Sequence, residues 1–381
     1  MDFPYRSFYF YQIVVNLWSK TMQRMIYDEK YMRRAIQLAR NGMMFASPNP
    51  MVGAVIVHNN KIIGEGFHRR CGEGHAEVNA VASVTQPELL PHSTIYVTLE
   101  PCSHYGKTPP CAQLIIDKKI PRVVIGSLDP FEKVSGRGVK MLQNAGVEVI
   151  SGILDEECRL LNAKFITAHT LHRPYITLKW AQSIDGYIDH IRTSNTPYAA
   201  RFSTAESSTI MHKIRATHDA IMIGSHTAIN DNPSLNCRLW HGNNPIKVIV
   251  DRKGLVPPEA GIFTNNTSKV IYFTAKKRVD LPQNVTQLII STSTPLSEIM
   301  STLYQKGISS VLIEGGATVL QSAINENLWD CARVETANFS LGKNGAIKAP
   351  ILKKSISKSV IIGENIVDFY FNTTLSLVKN S

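Results

Sequence analysis

The feature that most constrains this fold is a pair of short motifs within residues 74–111. His75 and Glu77 form a His-x-Glu pair, and two cysteines that each follow a proline, Cys102 and Cys111, lie further along the chain. One imidazole and two thiolates suit Zn²⁺, and a zinc ion with three protein ligands keeps its fourth tetrahedral position for water. The fold must therefore bring three side chains from separate parts of the chain to one point.

The same motifs also indicate a chemistry. His-x-Glu followed by a Pro-Cys and a second cysteine is the pattern of zinc-dependent base deaminases, in which a bound zinc makes hydroxide available near neutral pH. Glu77 is not needed as a ligand, so its carboxylate can transfer protons. Eight residues separate Cys102 from Cys111, whereas the general pattern has two. The alternative is a closed structural zinc site with His104 as a fourth ligand, which would leave Glu77 without a role.

Length and charge limit the classes of protein to consider. A chain of 381 residues exceeds one ordinary hydrophobic core, and 44% apolar with 19% charged residues is typical of soluble globular proteins. The net charge of +11 would suit nucleic acid, but the excess is dispersed: residues 1–170 hold 19 Lys+Arg against 15 Asp+Glu, and residues 171–381 hold 22 against 15. The densest basic runs, 276–278 and 353–354, are short. We therefore favour a protein that handles anionic small molecules.

The cysteines indicate a reducing compartment. Six cysteines in a chain of this length do not form a disulfide framework. Two belong to the predicted metal site, and the other four stand singly among apolar neighbours. The sequence therefore predicts reduced thiols and a cytoplasmic location.

The first 25 residues are predicted to be an extension of the domain that follows. Residues 8–18 are apolar and aromatic, but a bilayer crossing needs about twenty such residues. No small-residue cleavage site follows, so a secretory signal is not indicated. We expect either a loose appendage or a true start at Met22 or Met25, and no association with a membrane.

Strand and helix patterns alternate through residues 26–170. Asp28 is predicted as the N-cap of a first helix, whose apolar stripe is Met32, Ala35, Ile36 and Ala39 and which ends at Gly42. Further predicted strands are 52–57, 61–67, 94–99, 122–127 and 147–150, with a hairpin at 59–60 and helices over 75–83, 110–119, 138–145 and 155–171. This alternation favours a mostly parallel sheet covered by helices. Such sheets bind ligands at the carboxyl ends of their strands.

A second domain is predicted from about residue 171 to residue 381. Its predicted strands are 175–180, 219–223, 246–250, 270–273, 287–290 and 311–313, with a helix over 204–215. The last of these strands runs into Glu314, Gly315 and Gly316, and glycines at a strand-to-helix turn let backbone N–H groups approach a phosphate. The chain has no Gly-x-Gly-x-x-Gly, so an ordinary Rossmann dinucleotide site is not supported.

From residue 26 to about residue 371 the chain resembles the bifunctional riboflavin-biosynthesis deaminase/reductase family. The matching stretches of the first half are 48–53, 75–78, 98–111, 136–138 and 161–162, and the long spacing between the two cysteines belongs to this family's pattern. Those of the second half are 178–181, 183–186, 215–216, 219–221, 231–235 with Arg238, and 314–316. The resemblance implies a cytidine-deaminase-like three-layer α/β domain followed by a dihydrofolate-reductase-like α/β domain.

The resemblance also implies two reactions and their residues. A phosphorylated diaminopyrimidinone ribosylamine would be deaminated with Zn²⁺ held by His75, Cys102 and Cys111 and with Glu77 moving the protons. NADPH would then reduce the ribosyl group to ribityl. The implied substrate-binding residues are Asn49, His68, Lys107, Lys179, Arg215, Leu235, Arg238 and Glu314, and the implied NADPH-binding residues are Ala181, Thr227, Asp231 and Gly316. Among these residues, Arg215 and Arg238 suit the phosphate of the substrate, because a guanidinium presents a fork of hydrogen-bond donors.

One segment departs from the family. Where the family has a Gly-x-Ser-x-Trp-Ile-Ser/Thr run that touches both substrate and cofactor, residues 193–203 lack the tryptophan and differ in length. An alternative is therefore a deaminase whose reductase domain has become structural or dimerising.

A third hypothesis is a nucleic-acid base deaminase. It predicts an affinity for nucleic acid that falls steeply with salt, and the dispersed positive charge disfavours it. The oligomeric state is left open, a homo-oligomer being one alternative.

Overall fold

The computed structural model describes residues 24–105, 109–130, 135–194, 197–265 and 268–372. The chain divides into two compact units between Ile166 and Thr167. The predicted extension lies outside the described residues except for its last two, residues 24 and 25, which are helical. Among the described residues, no helix combines the length and the apolar character that a membrane crossing needs.

The first unit is built on a five-stranded sheet in the order β2-β1-β3-β4-β5. Its strands are β1 Gly53–His58, β2 Lys61–Phe67, β3 Thr94–Leu99, β4 Arg122–Ser127 and β5 Glu148–Ser151. Strands β3, β4 and β5 are parallel, but β1 is antiparallel to both β2 and β3. The sheet is therefore mixed, not mostly parallel as predicted. Asn59 and Asn60 both adopt positive φ and close β1 and β2 into a hairpin.

Helices cover both faces of this sheet, as the three-layer prediction requires. They are α1 over residues 24–39, α2 Ala76–Ala82, α3 Cys111–Asp117, α4 Arg137–Asn144 and α5 Asp155–Leu161, with 3-10 turns at Arg40–Gly42 and Pro87–His92. A further helix, α6 Ala163–Leu171, contains the point at which the chain divides into its two units. Alternate residues of β3 point to opposite layers. Ile95 and Val97 pack in the cluster that contains residues of α2, α3 and α4, whereas Tyr96 packs with residues of α1 and α5.

The predicted N-cap role of Asp28 is wrong. Asp28 lies inside α1 and is buried. Its carboxylate accepts hydrogen bonds from Arg122 Nη2 at 2.7 Å and from the Tyr96 hydroxyl at 2.9 Å. The predicted apolar stripe is buried as expected: Met32, Ala35, Ile36 and Ala39. The pattern therefore identified the buried face of the helix but not the partner of its one buried charge.

The single helix predicted over 155–171 is two helices that meet at Asn162. The buried Asn162 side chain accepts a hydrogen bond from the Met51 N–H at 2.8 Å and donates one to the Met51 carbonyl at 3.0 Å. The break lets Asn162 satisfy both backbone groups of Met51. Met51 lies two residues after Asn49, a predicted substrate contact. These two hydrogen bonds therefore also hold the turn that carries Asn49.

The second unit contains a nine-stranded sheet in the order β11-β10-β9-β8-β12-β6-β13-β16-β15. The first seven strands in this order pair in parallel with their neighbours. The last two, β16 and β15, pair antiparallel with β13 and with β16, respectively. The bounds are β6 Tyr175–Ser183, β8 Ala220–Gly224, β9 Ile246–Val250, β10 Val270–Thr274, β11 Val285–Ile289, β12 Ser310–Gly315, β13 Cys331–Ala337, β15 Lys358–Ile362 and β16 Asn365–Phe371. A small separate sheet joins β7 Tyr187–His190 to β14 Gly345–Lys348.

Helices also lie on both faces of the nine-stranded sheet. They are α7 Ala205–Ala216, α8 Ser225–Asp231, α9 Gly261–Thr264, α10 Leu296–Gln305 and α11 Ala317–Asn325, with a 3-10 turn at Gly342–Asn344. One apolar cluster contains residues of α10 and α11, and another contains residues of α7 and α9. The parallel arrangement brings the carboxyl ends of β6, β8 and β12 to one edge.

Candidate active sites

The structure brings His75, Cys102 and Cys111 together. His75 precedes α2, Cys102 follows β3, and Cys111 opens α3. The imidazole Nδ1 of His75 lies 3.6 Å from the Cys102 sulfur and 3.4 Å from the Cys111 sulfur. Nitrogen and sulfur donors bound at about 2.05 and 2.3 Å to a tetrahedral zinc would lie about 3.6 Å apart. The three donor atoms therefore fit one zinc ion with little adjustment.

Backbone hydrogen bonds hold the two cysteines in place. The Cys111 N–H donates to the Cys102 sulfur at 3.2 Å, and the Ala112 N–H donates to the Cys102 carbonyl at 3.1 Å. The Cys111 thiol, together with His75 and the Cys111 N–H, holds the pKa of Cys102 well below its usual value. A thiolate is the form in which cysteine binds metals. The start of α3 thus supports the ligand form of Cys102.

His104 does not complete this cluster. Within the described ranges, the cluster of possible metal ligands that contains the two cysteines is His75, Cys102 and Cys111, and His104 is exposed. The alternative of a closed structural site with His104 as its fourth ligand therefore has no support in the arrangement of the described side chains.

Glu77 lies beside the three donors. It is the second residue of α2 and is only 3% exposed. Burial raises the pKa of Glu77 to about 7, although its backbone N–H and the neighbouring His75 act in the opposite direction. A carboxyl group with a pKa near the working pH is suited to accept and return a proton. The geometry thus combines a metal-ligand set with a proton carrier.

Asn49 and His68 lie next to this cluster. His68 is 2% exposed, and its ring lies 5.6 Å from the His75 ring in an edge-on arrangement. Its Nδ1 is 3.2 Å from the Gly74 carbonyl, so Nδ1 carries the hydrogen and Nε2 accepts one from the Asn49 amide at 3.1 Å. Burial lowers the pKa of His68, which favours this neutral form. Lys107 lies outside the described residues.

The sequence did not predict a role for Glu100, which connects the cysteine segment to α4. Its carboxylate is buried and accepts four backbone N–H groups, those of Gly138 at 2.9 Å, Gly136 at 3.0 Å, Asp129 at 3.2 Å and Val139 at 3.3 Å. A Cβ atom on Gly138 would lie 2.1 Å from the Pro101 carbonyl oxygen. Glu100 therefore caps α4 against the segment that leads to Cys102.

Replacing Glu100 by Gln should destabilise the first unit. One acceptor oxygen would become an NH₂ group that faces backbone N–H donors, so we expect a loss of about 1–3 kcal/mol in the free energy of unfolding. Scanning calorimetry measures the change. Glu88→Gln, at an exposed glutamate of the same unit, serves as the control. Equal thermal midpoints for the two variants would contradict this role for Glu100.

The second unit has a cavity at the carboxyl edge of its sheet. The cavity encloses about 620 Å³, and its lining includes the predicted substrate residues Lys179 and Glu314. All four predicted cofactor residues also line it: Ala181, Thr227, Asp231 and Gly316. These side chains come from β6, α8, β12 and the turn before α11, so the parallel topology collects them from positions far apart in sequence.

The glycine turn allows close packing at this edge. Gly316 has a φ of +75° and precedes α11. A Cβ atom on Gly315 would come within 3.0 Å of the Thr227 side chain. Residues without a Cβ leave the N–H groups of the α11 N-terminus accessible from the cavity, and such groups bind phosphate.

Arg215 and Glu314 form a buried ion pair. Arg215 donates to the two Glu314 oxygens at 2.7 and 2.6 Å and to the Asn236 carbonyl at 3.1 Å. Burial acts to raise the pKa of Glu314, but Arg215 and Lys179 together hold it below its usual value. Burial lowers the pKa of Lys179. Two predicted substrate contacts, Arg215 and Glu314, are therefore partners of each other.

Of the five substrate residues predicted in the second unit, three do not line the cavity: Arg215, Leu235 and Arg238. Leu235 is 3% exposed and packs in an apolar cluster with Met211, so its side chain is not available to a ligand. Arg238 is exposed and donates to the Asn236 amide oxygen at 3.0 Å. Sequence matching alone did not distinguish these positions from those that face the cavity.

The segment that departs from the family is partly described, since residues 195 and 196 fall outside the described ranges. Tyr198 is 80% exposed, and Ala199 lines the cavity. Phe202 stacks on Phe339 with ring centres 5.5 Å apart. Ser203 donates to the buried Glu335 carboxylate at 3.0 Å. The end of the segment is thus anchored, although the family's tryptophan is missing.

Two sites of different kinds lie in the two units. The first combines a three-ligand zinc set with a buried proton carrier and defines a zinc-dependent deaminase, and the second is a cavity of the kind that holds a nicotinamide cofactor in a reductase. Residues 25–127 match the cytidine and deoxycytidylate deaminase zinc-binding region, and residues 174–356 match the RibD C-terminal domain. The chain belongs to the RibD family of bifunctional deaminase/reductases of riboflavin biosynthesis.

Relatives match nearly the whole chain. The riboflavin biosynthesis protein RibD of Aquifex aeolicus is 36% identical over 355 residues, which are 90% of this chain and 98% of that protein. RibD of Bacillus amyloliquefaciens is 40% identical over 312 residues, which are 80% of this chain and 82% of that protein.

A solved structure agrees. The diaminohydroxyphosphoribosylaminopyrimidine deaminase/5-amino-6-(5-phosphoribosylamino)uracil reductase of Thermotoga maritima is 35% identical with a TM-score of 0.82, over 91% of this chain and 99% of that one. The predicted family and fold class are therefore confirmed, and so is the use of Zn²⁺ and NADPH.

Proposed function

We propose that the chain catalyses two successive steps on phosphorylated pyrimidines. The first unit deaminates 2,5-diamino-6-(5-phosphoribosylamino)pyrimidin-4(3H)-one, and the second reduces the ribosyl group of the product to ribityl with NADPH. The observation that carries the proposal is the convergence of His75, Cys102 and Cys111 beside the buried Glu77. Family membership supports both steps.

In the deaminase site, His75, Cys102 and Cys111 would hold the zinc ion. Zinc bound there acts as a Lewis acid and lowers the pKa of water. Glu77 accepts a proton at its carboxylate and returns protons to the ring nitrogen and to the departing ammonia, so that water replaces the amino group. Asn49 and the neutral His68 form one hydrogen-bonded wall, which is suited to orient a polar ring. Lys107 is proposed as a further contact.

In the reductase site, the cavity would hold NADPH, which supplies the hydride. Ala181, Thr227, Asp231 and Gly316 form its cofactor-binding wall. Lys179 and Glu314 lie at the sugar that is reduced, and Arg215 fixes the orientation of Glu314. Arg238 is exposed and free to reach a phosphate group of the substrate, whereas Leu235 supports the site from the core.

Mass spectrometry of the products tests the proposal directly. Without NADPH, the product should be heavier than the diaminopyrimidinone substrate by about one mass unit, because one NH is replaced by oxygen. With NADPH, the product should gain two further hydrogens. Deamination without the second change would favour the alternative, in which the altered segment around residues 193–203 has left the second unit without reductase activity.

Removal of zinc should separate the two activities. After dialysis against a strong chelator, we expect ammonia release to be lost, because the residues that would hold zinc all lie in the first unit. Oxidation of NADPH with deaminated substrate should continue, and added Zn²⁺ should restore ammonia release. Undiminished ammonia release from protein that elemental analysis finds free of zinc would contradict the proposal.

We also propose a cytoplasmic location. Within the described ranges, which contain all six cysteines, no disulfide bond forms, and thiols remain reduced in that compartment. Measurement of the free thiols in protein taken directly from cells tests this, since oxidised cysteines would argue for another compartment.

A further inference from the structure

Arg192 lies where the cavity wall of this chain departs from the family. It lines the cavity together with Asp189 and Ala199, close in sequence to the segment that lacks the family's tryptophan. Its guanidinium connects the end of β7 to the end of α8. The Nε atom donates to Asp189 Oδ2 at 2.9 Å, and Nη2 donates to Asp231 Oδ1 at 2.5 Å.

A third contact fixes the plane of this guanidinium. Arg192 Nη1 donates to the Asn230 carbonyl at 3.0 Å, near the C-terminus of α8, where the helix dipole favours a positive charge. A planar fork of five donors can meet two carboxylates and a carbonyl in one fixed orientation. The side chain is 23% exposed, so water screens these contacts only in part.

Asp189 extends the same arrangement to the rest of the wall. Its second oxygen, Oδ1, accepts the Ala200 N–H at 3.0 Å. This bond holds the backbone next to Ala199, which faces the cavity. Arg192 and Asp189 therefore organise this part of the cavity wall by charge and hydrogen bonding.

The charge of the cluster matters for a cofactor that carries phosphate groups. Two carboxylates with one guanidinium leave a net charge of about −1, whereas without Arg192 the same wall would carry about −2. Asp231 Oδ1 is engaged by Arg192, and over the described ranges Asp231 Oδ2 has no hydrogen-bond partner. A carboxylate oxygen accepts hydrogen bonds from hydroxyl groups. The adenine ribose of NADPH carries a 2′-phosphate, but the hydroxyl groups of its nicotinamide ribose remain available as donors.

We propose that Arg192 is a positioning residue of the cofactor site. It holds Asp231 so that Oδ2 meets a ribose hydroxyl of NADPH, and it offsets the repulsion between this wall and the phosphates. The inference rests on the proposed function, because Asp231 is one of the proposed NADPH contacts.

Titration of the full chain with NADPH, followed by cofactor fluorescence in the absence of substrate, tests this role. Arg192→Ala should raise the Kd for NADPH about tenfold or more, since it removes charge-assisted hydrogen bonds. Arg192→Lys keeps the charge without the fork and should give an intermediate Kd. The KM for NADPH should follow the Kd, kcat should change less than about twofold, and ammonia release should be unchanged.

Arg33→Ala is the matched control. Arg33 also connects two carboxylates, those of Glu29 and Glu157, but on the surface of the first unit, and its loss should not alter the Kd. If both Arg192 variants bind NADPH as the parent does, this inference is overturned while the proposed function stands. If the parent does not bind NADPH, the proposed reductase function is overturned and the inference with it. A fall in thermal midpoint with an unchanged Kd would assign Arg192 a purely structural role.

Discussion

Glu77→Gln should lower the rate of ammonia release by about 10³-fold. A positioned general acid–base contributes about 10²–10⁴-fold to a proton-transfer reaction, and Glu77 is the buried carboxyl group beside the three metal-binding side chains. The amide has nearly the same shape but cannot accept the proton. We therefore expect kcat to fall while KM changes little, as measured by ammonia release from the diaminopyrimidinone substrate.

Two controls separate this loss from misfolding. Elemental analysis should find zinc in the variant as in the parent, because Glu77 is not one of the proposed ligands. NADPH oxidation by the second unit of the same chain should be unchanged, which supplies an internal measure of folded protein. Glu73→Gln, at an exposed glutamate nearby, should retain ammonia release. A Glu77→Gln variant that releases ammonia as fast as the parent would remove the proton carrier from the mechanism.

Asp28→Asn should destabilise the first unit by about 3–5 kcal/mol, the range measured when one partner of a buried ion pair is removed. The Arg122 and Asp28 side chains are only 10% and 5% exposed, so the arginine would stay buried with only the Glu148 carboxylate, 3.5 Å away, to offset its charge. The N-cap role expected from the sequence predicts no loss, because Asn and Asp are equally good N-caps. Chemical denaturation measures the difference in the free energy of unfolding between variant and parent. Hydrogen exchange of the backbone amides in α1 and β4 locates it.

Glu29→Gln provides the comparison for Asp28→Asn. Glu29 is the next residue in the same helix and pairs with Arg33 at 3.4 Å on the surface. Exposed pairs of this kind contribute about 0–1 kcal/mol, so the variant should unfold close to the parent. If Asp28→Asn also unfolds like the parent, the pair with Arg122 does not stabilise the fold.

The residues of the deaminase site were predictable because their spacing carries the chemistry. Zinc requires particular donor atoms, and the deaminase pattern places a histidine before two cysteines, as His75, Cys102 and Cys111 occur along this chain. Strand bounds were also predictable where β-branched residues are flanked by turn residues. Strands β2, β3, β4 and β9 have the bounds that the sequence predicted.

The sequence did not predict the strands after residue 330. Strands β13, β15 and β16 complete the nine-stranded sheet. The residues of β13 include buried charges that break the apolar pattern, and β15 is largely exposed. Arg333 and Glu335 of β13 are both buried and paired at 3.1 Å. A pattern based on hydrophobicity treats such residues as exposed, whereas the folded chain satisfies each charge with the other.

From the sequence alone, the family and the α/β fold class could be recognised, and the side chains proposed to hold zinc and carry a proton could be named. Only the tertiary structure decided the partners of Asp28, Glu100 and Arg192 and the break at Asn162. These contacts join residues that are far apart in the sequence. A helix, a hairpin or a ligand motif is encoded by neighbours in sequence, whereas the partner of a buried charge or amide is chosen by packing. Arg122, for example, lies 94 residues from Asp28.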